Sequence, residues 1–226
     1  MKIVLASRNP KKIRELETLL AENTSMNVQV LSLDDIGYSD EIDENGASFL
    51  ENALLKAAGP ARLGYIGVAD DSGLTVRALG GAPGIYSARY AGEHGRDDDN
   101  NRKLLAEMAH VPDGERDAAF VSVVACVLPR GMECGIPGGI RVTTKDSLTG
   151  FALRGECTGT ILHEQRGSDG FGYDPLFWIP EKGKSFAEMS AAEKNAISHR
   201  GNAMRAFCAA FSHVFCNTKE YMHADK

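Results

Sequence analysis

The sequence predicts an α/β fold, because short apolar segments that suit buried strands alternate with segments that suit helices. The first apolar segment, residues 3–6, is continuous, as expected for a strand that is buried on both faces. A helical pattern follows it directly, and another buried strand is expected at 65–69. Two longer strands, at 118–128 and 140–161, are expected to be antiparallel.

Residues 7–33 predict a turn, a helix and a second strand. Asn9 suits the N-cap of the helix, because its side-chain oxygen can accept from an unpaired N–H group of the first turn. Pro10 suits the first helical position. The segment 28–33 predicts the strand, and the acidic segment 34–45 predicts a loop. Apolar residues recur at helical spacing at Ile13, Leu16, Leu19 and Leu20.

The next helix and strand lead to an acidic pair. Ser48 and Glu51 have the spacing of a capping box, which predicts a helix that ends at about residue 62. The buried strand expected at 65–69 then runs directly into two acidic residues. These are Asp70 and Asp71.

The second half of the chain has glycine-rich loops between its predicted elements. Loops are expected at 80–95 and 167–175, and a helix with an acidic first turn is expected at 97–110. Ser190 and Glu193 form a second capping box. They predict one continuous helix that ends at about residue 215.

Composition and charge narrow the classes of protein. The 226 residues are 43% hydrophobic and 25% charged, which suits one globular domain at 1–216 with a polar tail at 217–226. The net charge of −6 and the lack of a densely basic stretch argue against a nucleic-acid polymer as partner. No apolar run approaches the ~20 residues of a membrane span, so we expect no membrane partner and a cytoplasmic protein.

The five cysteines are an odd number, and they include no C-x-x-C pair. This pattern disfavours both a structural zinc site and a disulfide framework. We therefore expect buried free thiols in a reducing compartment.

The first candidate site lies where the first strand meets the first helix. Unpaired N–H groups and the helix dipole make the first helical turn a favourable place for phosphate. Two lysines there are unfavourable for the helix itself, which suggests a ligand. The alternative is a solvated turn, since the glycine spacing of a P-loop is absent. The candidate residues are Ser7, Arg8, Asn9, Pro10, Lys11 and Lys12.

The second candidate site is acidic. Asp70 and Asp71 follow a predicted buried strand, and ligands bind at the carboxyl ends of strands in parallel α/β sheets. Magnesium prefers one or two carboxylates together with waters and substrate phosphates. The alternative is that these residues are solvated loop acids. The other members of the acidic set are Asp43, Glu44 and Glu51.

Two further candidate sites lie in the second half of the chain. Phe171 and Tyr173 flank a glycine on a loop and could stack on a base, unless they are ordinary core anchors. His199 and Arg200 are consecutive on a predicted helix, so their side chains point about 100° apart and could flank the edge of a base. Alternatively, they are surface residues of an amphipathic helix.

Taken together, these segments resemble the motifs of a known family. Residues 7–16 (Ser-Arg-Asn-Pro-Lys-Lys-Ile-Arg-Glu-Leu) are similar to the opening motif of the inosine triphosphate pyrophosphatase family, which includes the bacterial dITP/XTP pyrophosphatases. The matches occur in family order and extend to about residue 205. The segments similar to the later motifs are 46–57, 69–74, 80–92, 170–175 and 193–201.

The resemblance implies a fold and a reaction. The fold would be a long mixed central sheet with flanking helices, in two lobes around an active-site cleft. The reaction would be a Mg²⁺-dependent hydrolysis of ITP, dITP or XTP, in which water attacks the α-phosphorus and releases a nucleoside monophosphate and pyrophosphate. Such an enzyme cleanses the nucleotide pool, and the family resemblance also implies a homodimer.

The resemblance also implies roles for individual residues. Asp71 matches the catalytic aspartate, which activates water and helps to hold the metal, and Glu44 matches the second metal ligand. The positions that match phosphate or ribose contacts are Ser7, Asn9, Lys12, Lys56 and Ser72. The positions that match base contacts are Phe171 and Tyr173, with Gly172 between them, and Asp174, Lys194, His199 and Arg200 around the polar edge of the base.

Two segments depart from the family pattern. The opening loop has Arg8 where many relatives have glycine, which affects how closely the backbone can meet the phosphates. The segment 129–150 is longer than in the short bacterial members, and we expect it to extend a hairpin.

Three other functions remain open from the residues. The chain could be a related pyrophosphatase for modified pyrimidine or standard deoxynucleotides, which a substrate panel would distinguish. It could be a nucleotide-binding regulator without catalysis, although the presence of both Glu44 and Asp71 argues against this. A structural α/β protein is disfavoured because polar motifs cluster at the ends of loops.

Overall fold

The computed structural model describes residues 1–93 and 95–216, so the predicted tail at 217–226 lies outside the described residues. The fold is mixed α/β, which confirms the predicted class. The strands are β1 (Lys2–Leu5), β2 (Gln29–Leu31), β3 (Ile66–Val76), β4 (Asp117–Val127), β5 (Arg141–Thr143), β6 (Thr149–Ile161), β7 (Phe177–Ile179) and β8 (Lys184–Ser185). The α-helices are α1 (Pro10–Asn23), α2 (Phe49–Arg62), α3 (Asp97–Glu107), α4 (Ala191–Ile197) and α5 (His199–Cys216).

Within the described residues, eight strands form one open sheet in the order β2-β1-β3-β4-β6-β7-β8, with β5 paired to β6. The sheet is mixed, as expected. β1 pairs in parallel with both β2 and β3, whereas the β5–β6, β6–β7 and β7–β8 pairs are antiparallel. Helices α1 and α2 occur between the parallel strands because parallel neighbours need a long crossover connection.

The chain forms two compact units, each with its own hydrophobic core. The first unit comprises Met1–Asp71, Val123–Arg154 and the chain from Ala203 onward. The second unit comprises Ser72–Ser122 and Gly155–Asn202.

In the first unit, the predicted start of α1 is confirmed. Asn9 is the N-cap, its side chain accepts a hydrogen bond from the Lys11 N–H group at 2.9 Å, and Pro10 is the first helical residue. Helix α1 buries Leu16 and Leu20 in the same core as Ile3 of β1. Each fully buried leucine stabilises the fold by roughly 1.5–3 kcal/mol, so this face of α1 fixes the helix on the sheet.

In the second unit, Arg116 joins the end of α3 to the end of β6. Arg116 is 3% exposed. It donates to the carbonyl oxygens of Met108 at 2.9 Å, Val111 at 3.0 Å, Ile161 at 2.7 Å and Leu162 at 3.0 Å. A buried guanidinium without acceptors is costly, so all four bonds are expected to persist. They hold the C-terminal end of α3 and the C-terminal end of β6 at fixed positions.

Strand β3 is longer than predicted. The prediction ended the strand at residue 69, but β3 continues to Val76, so Asp70 and Asp71 lie inside it. The parallel pairing with β1 does end near the predicted place, since Ala6 N–H donates to Val68 O at 2.7 Å. The strand continues because β4 is its neighbour on the other side, a long-range partner that local sequence does not reveal.

The single strand predicted at 140–161 is wrong, because a turn divides this segment into β5 and β6. Thr144 N–H donates to Leu148 O at 2.9 Å, and Ser147 has a left-handed backbone with φ of 66°. The two strands form an antiparallel hairpin in which Arg141 lies opposite Phe151 and Thr143 lies opposite Thr149. Its turn lies near the end of segment 129–150, whereas β6 continues to Ile161.

We expect Asp146→Asn to weaken this hairpin in a pH-dependent way. Hydrogen bonds from Arg62 Nε (2.7 Å) and Thr144 Oγ1 (2.6 Å) lower the pKa of Asp146 to about 2. A lowered pKa in the folded state stabilises the protein above the unfolded value, and the effect is lost as pH falls. The melting temperature of Asp146→Asn should therefore be lower at pH 7, and the difference should narrow below about pH 4.

The exposed neighbour Lys145 provides the matched control for this measurement. Lys145→Ala should melt like the original protein across the same pH range. A difference between Asp146→Asn and the original protein that stays constant from pH 7 to pH 3 would contradict the assignment.

The continuous helix predicted from Ser190 to about residue 215 is also wrong. The capping box of Ser190 and Glu193 is present and starts α4, but this helix ends at Ile197. Ser198 has an extended backbone (φ −65°, ψ 150°), and α5 begins at the next residue. The Ser198 hydroxyl accepts from Gly201 N–H at 3.1 Å, so Ser198 caps the new helix.

Among the cysteine side chains that the structure describes, Cys126, Cys134, Cys157 and Cys208 are free thiols. The side chain of Cys216 lies outside the described part of the chain. Cys126, Cys157 and Cys208 are buried, and burial raises their pKa values, as expected for structural thiols. Cys134 is half-buried. Within residues 1–93 and 95–216, no helix combines the length and the apolar composition of a membrane span.

Candidate active site

The loop between β1 and α1 forms a tight polar turn. Asn9 N–H donates to Ser7 Oγ at 3.1 Å, which holds the backbone just before the helix. Ser7 is half-buried, whereas Asn9, Pro10 and Lys11 are exposed. The first turn of α1 is thus accessible to an anionic ligand.

Arg8 points towards the segment that follows β2. Its Nε donates to Asp34 Oδ1 at 3.0 Å, and its Nη2 donates to Tyr38 O at 2.8 Å. These bonds tie the β1–α1 loop to residues 34–38. A phosphate contact by Arg8 would have to replace them.

Lys12 pairs with Asp70 inside the first unit. The ammonium lies 3.1 Å from Asp70 Oδ1 and 3.0 Å from Oδ2. The Asp70 side chain is 5% exposed, whereas that of Lys12 is 37% exposed. The buried Asp70 carboxylate therefore holds the lysine at a fixed place while part of the Lys12 side chain stays open to solvent.

Lys56 of α2 bridges two carboxylates. Its Nζ lies 2.8 Å from Asp71 Oδ1 and 3.4 Å from Glu44 Oε1. Helix α2 can approach β3 this closely because Gly67 has no side chain, and a Cβ there would lie 2.0 Å from Ala57 O. The close packing of α2 on β3 brings Lys56 within reach of Asp71.

The environment of Asp71 makes its carboxylate a stronger base. Burial raises the pKa of Asp71, while Lys56 acts in the opposite direction and the nearby Glu44 carboxylate adds to the rise. Asn52 Nδ2 contributes a 3.3 Å hydrogen bond to Asp71 Oδ2. A partly buried carboxylate with a raised pKa and fixed orientation suits the removal of a proton from water.

Two carboxylates rather than three are available for a metal ion here. Within the described part of the chain, no three His, Cys, Asp or Glu side chains are grouped to hold a metal ion. Glu44 and Asp71 already share one cation, the Lys56 ammonium. Such a pair fits Mg²⁺, because this ion commonly takes one or two carboxylates and completes its ligands with water and substrate phosphates.

The glycine-rich loop of the second unit exposes one aromatic ring and buries the other. Phe171 is 74% exposed, so most of its side chain is open to solvent. Tyr173 is 3% exposed, and its hydroxyl donates to Ser87 O at 2.9 Å. Phe171 is thus the ring that is available to a ligand, whereas Tyr173 anchors the loop.

Lys194 and Asp174 support Phe171 from within the second unit. The Lys194 ammonium lies 4.6 Å from the centre of the Phe171 ring, in a cation–π contact, and forms an ion pair with Asp174. Asp174 is 2% exposed and also accepts from Phe171 N–H at 2.9 Å. The ring, the cation and the buried carboxylate therefore form one connected group.

His199 and Arg200 begin helix α5, and both are half-buried. The His199 ring stacks on Phe120 with 4.7 Å between ring centres, which fixes its plane. The break at Ser198 turns these two residues into the first turn of a new helix instead of the middle of a long one. Ser72, the remaining candidate, is exposed on β3.

A model of the Ham1 family matches residues 3–210. The chain belongs to the Ham1 family. One relative, the dITP/XTP pyrophosphatase of Corynebacterium glutamicum strain R, is 44% identical over 219 residues, which cover 95% of this chain and 98% of that protein. The dITP/XTP pyrophosphatase of Pectobacterium atrosepticum is 44% identical over 205 residues, which cover 90% of this chain and 94% of that protein.

Solved structures of Ham1-related proteins share the fold. The Ham1 protein of Staphylococcus aureus has a TM-score of 0.80 at 35% identity, over 94% of this chain and 99% of that one. The nucleoside-triphosphatase, dITP/XTP pyrophosphatase, of Mycobacterium abscessus has a TM-score of 0.74 at 41% identity, over 92% and 98% of the two chains.

Asn52 of this Ham1 chain is a site residue that was not predicted from the sequence. Asn52 is 1% exposed, and its Oδ1 accepts from Gly46 N–H at 2.8 Å while its Nδ2 donates to Asp71. The sequence feature that could have identified Asn52 is its spacing from Lys56, because residues four apart on a helix share a face. Asp97 and Asn101 were missed as well, and their contacts with the Phe171 loop depend on tertiary structure alone.

Proposed function

We propose that this chain hydrolyses non-standard purine nucleoside triphosphates, namely ITP, dITP and XTP, to the nucleoside monophosphate and pyrophosphate. Relatives of 44% identity that carry the name dITP/XTP pyrophosphatase support this activity. The observation that carries it is the cluster of Glu44, Lys56 and Asp71, where a base, a cation and a second carboxylate meet. The enzyme would remove these nucleotides from the cellular pool.

In the proposed reaction, Asp71 takes a proton from water. The water oxygen bonds to the α-phosphorus, the bond from that phosphorus to the bridging oxygen breaks, and pyrophosphate leaves. Negative charge grows on pyrophosphate as the bond breaks, so Lys12 and Lys56 would stabilise it. Both lysines are already held near the site by Asp70 and Asp71. Ser7 and Asn9 on the β1–α1 turn, and Ser72, would contact phosphate or ribose.

Glu44 and Asp71 would hold a Mg²⁺ ion. When bound, the ion would offset negative charge on the leaving pyrophosphate. The two carboxylates support this role because both already contact the same positively charged group.

Residues of the second unit would recognise the purine. The exposed Phe171 ring would stack on the base, with the neighbouring Lys194 and Asp174 at its polar edge. His199 and Arg200 would donate to the keto oxygen that hypoxanthine and xanthine carry at C6. Adenine has an amino group at this position, so a donor would face another donor and remain unpaired.

The location and the assembly of the protein follow from this proposal and from the family resemblance. An enzyme that acts on the free nucleotide pool would work in the cytoplasm. We propose a homodimer, with no nucleic-acid or membrane partner.

The direct test is release of pyrophosphate across a panel of ITP, dITP, XTP, GTP and ATP with magnesium. We expect rapid release from the first three and poor turnover of ATP. Release of orthophosphate alone would refute attack at the α-phosphorus, and tight binding of ITP without turnover would favour a regulator.

Removal of the metal is the second test of the proposed reaction. EDTA should abolish pyrophosphate release, because Lys12 and Lys56 alone do not match the charge of the triphosphate, and added Mg²⁺ should restore it. Turnover that persists in EDTA would refute the metal role of Glu44 and Asp71.

A further inference from the structure

Two side chains of α3 hold the middle of the Phe171 loop. Asp97 Oδ2 accepts from Gly172 N–H at 2.7 Å, and Asn101 Nδ2 donates to Gly172 O at 2.9 Å. The two residues are four apart on one helix, so they point to the same side. Both polar groups of the Gly172 residue are therefore bound by the same face of α3.

These hydrogen bonds restrict a backbone segment that would otherwise be flexible. Gly172 has a φ of 62°, in the left-handed region that favours glycine, and its flexibility would otherwise allow the loop several conformations. Asn101 is 2% exposed, so water does not compete for its hydrogen bond. The Asp97 bond is charge-assisted, which makes it stronger than one between neutral groups.

We call these two contacts of Asp97 and Asn101 with Gly172 the clamp, and it lies directly beside the exposed Phe171 ring. Phe171 precedes Gly172, and its own N–H donates to Asp174 Oδ2 at 2.9 Å. Tyr173 follows Gly172 and is anchored by its hydroxyl on Ser87 O. The Phe171 ring is thus exposed to a ligand, while the backbone on both sides of it is bound.

We propose that Asp97 and Asn101 are positioning residues that hold Phe171 in the orientation required to stack on the purine. This inference rests on the proposed function, in which Phe171 is the stacking residue. The clamp lowers the entropic cost of binding, because the loop is ordered before the nucleotide arrives. Its loss should therefore weaken substrate binding and leave the chemical step unchanged.

The chain offers a matched control for the helix itself. The first turn of α3 contains Asp97, Asp98 and Asp99, and all three favour the helix dipole. Asp98 is exposed and lies next to Asp97 in sequence. A role of Asp97 in helix stability would thus be shared by Asp98, whereas a role in the clamp would not.

The experiment compares four variants, Asp97→Ala, Asp97→Asn, Asn101→Leu and Asp98→Ala, in the full chain with ITP and magnesium. For Asp97→Ala and Asn101→Leu we expect KM to rise about tenfold while kcat stays within about twofold. Asp97→Asn keeps an acceptor for Gly172 N–H and should recover most of the loss. Asp98→Ala should match the original protein.

Hydrogen exchange supplies a readout that needs no activity. The amides of residues 170–174 should exchange faster in Asp97→Ala and Asn101→Leu, while those of β4 keep their protection. Equal exchange of the 170–174 amides in Asp97→Ala and Asp98→Ala would overturn the clamp. So would faster exchange throughout the protein, because Asp97 would then support stability in general.

The two proposals fail in distinguishable ways. If the original protein releases no pyrophosphate from ITP, the proposed function fails, and the clamp is still decided by the exchange of residues 170–174. If ITP is turned over but KM is the same in Asp97→Ala and Asp98→Ala, the clamp fails and the proposed function stands.

Discussion

Replacement of Asp71 by asparagine is expected to lower kcat for ITP by about 10³-fold. The amide cannot accept a proton from water, and it removes a negative charge that would help to hold the metal. Asparagine has nearly the same shape, and it keeps an acceptor for the Lys56 ammonium, which lies 2.8 Å from Asp71 Oδ1. The melting temperature should therefore change little, because burial of the charged form was unfavourable.

Asp43→Asn is the control for this change. Asp43 is an exposed acid next to Glu44, so its replacement alters the local charge by the same amount. Its activity should stay close to that of the original protein. Full activity of Asp71→Asn would show that Asp71 has no part in the mechanism. Equal losses of activity in Asp71→Asn and Asp43→Asn would show that Asp71 acts only through its negative charge.

Replacement of Arg200 by alanine is expected to narrow the preference for ITP over ATP by about 10- to 100-fold. The guanidinium is the strongest donor proposed for the C6 keto oxygen, and its loss should weaken ITP turnover more than ATP turnover. Both kcat/KM values must be measured, since a change in folding would lower them together and leave their ratio unchanged.

Arg205→Ala serves as the control, because Arg205 is an exposed arginine on the same helix, α5. Its ratio of ITP to ATP turnover should equal that of the original protein. An unchanged ratio in Arg200→Ala would contradict recognition through C6. Guanine also carries a keto group at C6. The ratio of ITP to GTP turnover should therefore be the same in Arg200→Ala as in the original protein.

Features that depend on neighbours in sequence were predictable. The start of α1 at Pro10, with Asn9 as its N-cap, follows from two adjacent residues. The capping box of Ser190 and Glu193 spans only four residues, and it does start a helix. Such local hydrogen bonds require no partner from elsewhere in the chain, so the residues themselves specify them.

The length of elements was less predictable because it depends on distant partners. β3 continues past Asp71 because β4 lies beside it. The sequence near Asp71 does not indicate that β4 is this neighbour. The helix predicted from Ser190 stops at Ile197 although the apolar spacing continues. Ser198 can cap a new helix there, and tertiary packing determines that it does so.

The sequence alone determined the fold class, the family and the chemical types of the candidate site, because motifs and apolar periodicity are properties of short segments. Only the tertiary structure decided which groups meet. Lys12 pairs with Asp70 across 58 positions, and Lys56 with Asp71 across 15. It also decided that Phe171 is exposed whereas Tyr173 is buried. Side-chain direction and charge pairing depend on the packing of distant segments, and that packing is a property of the whole chain.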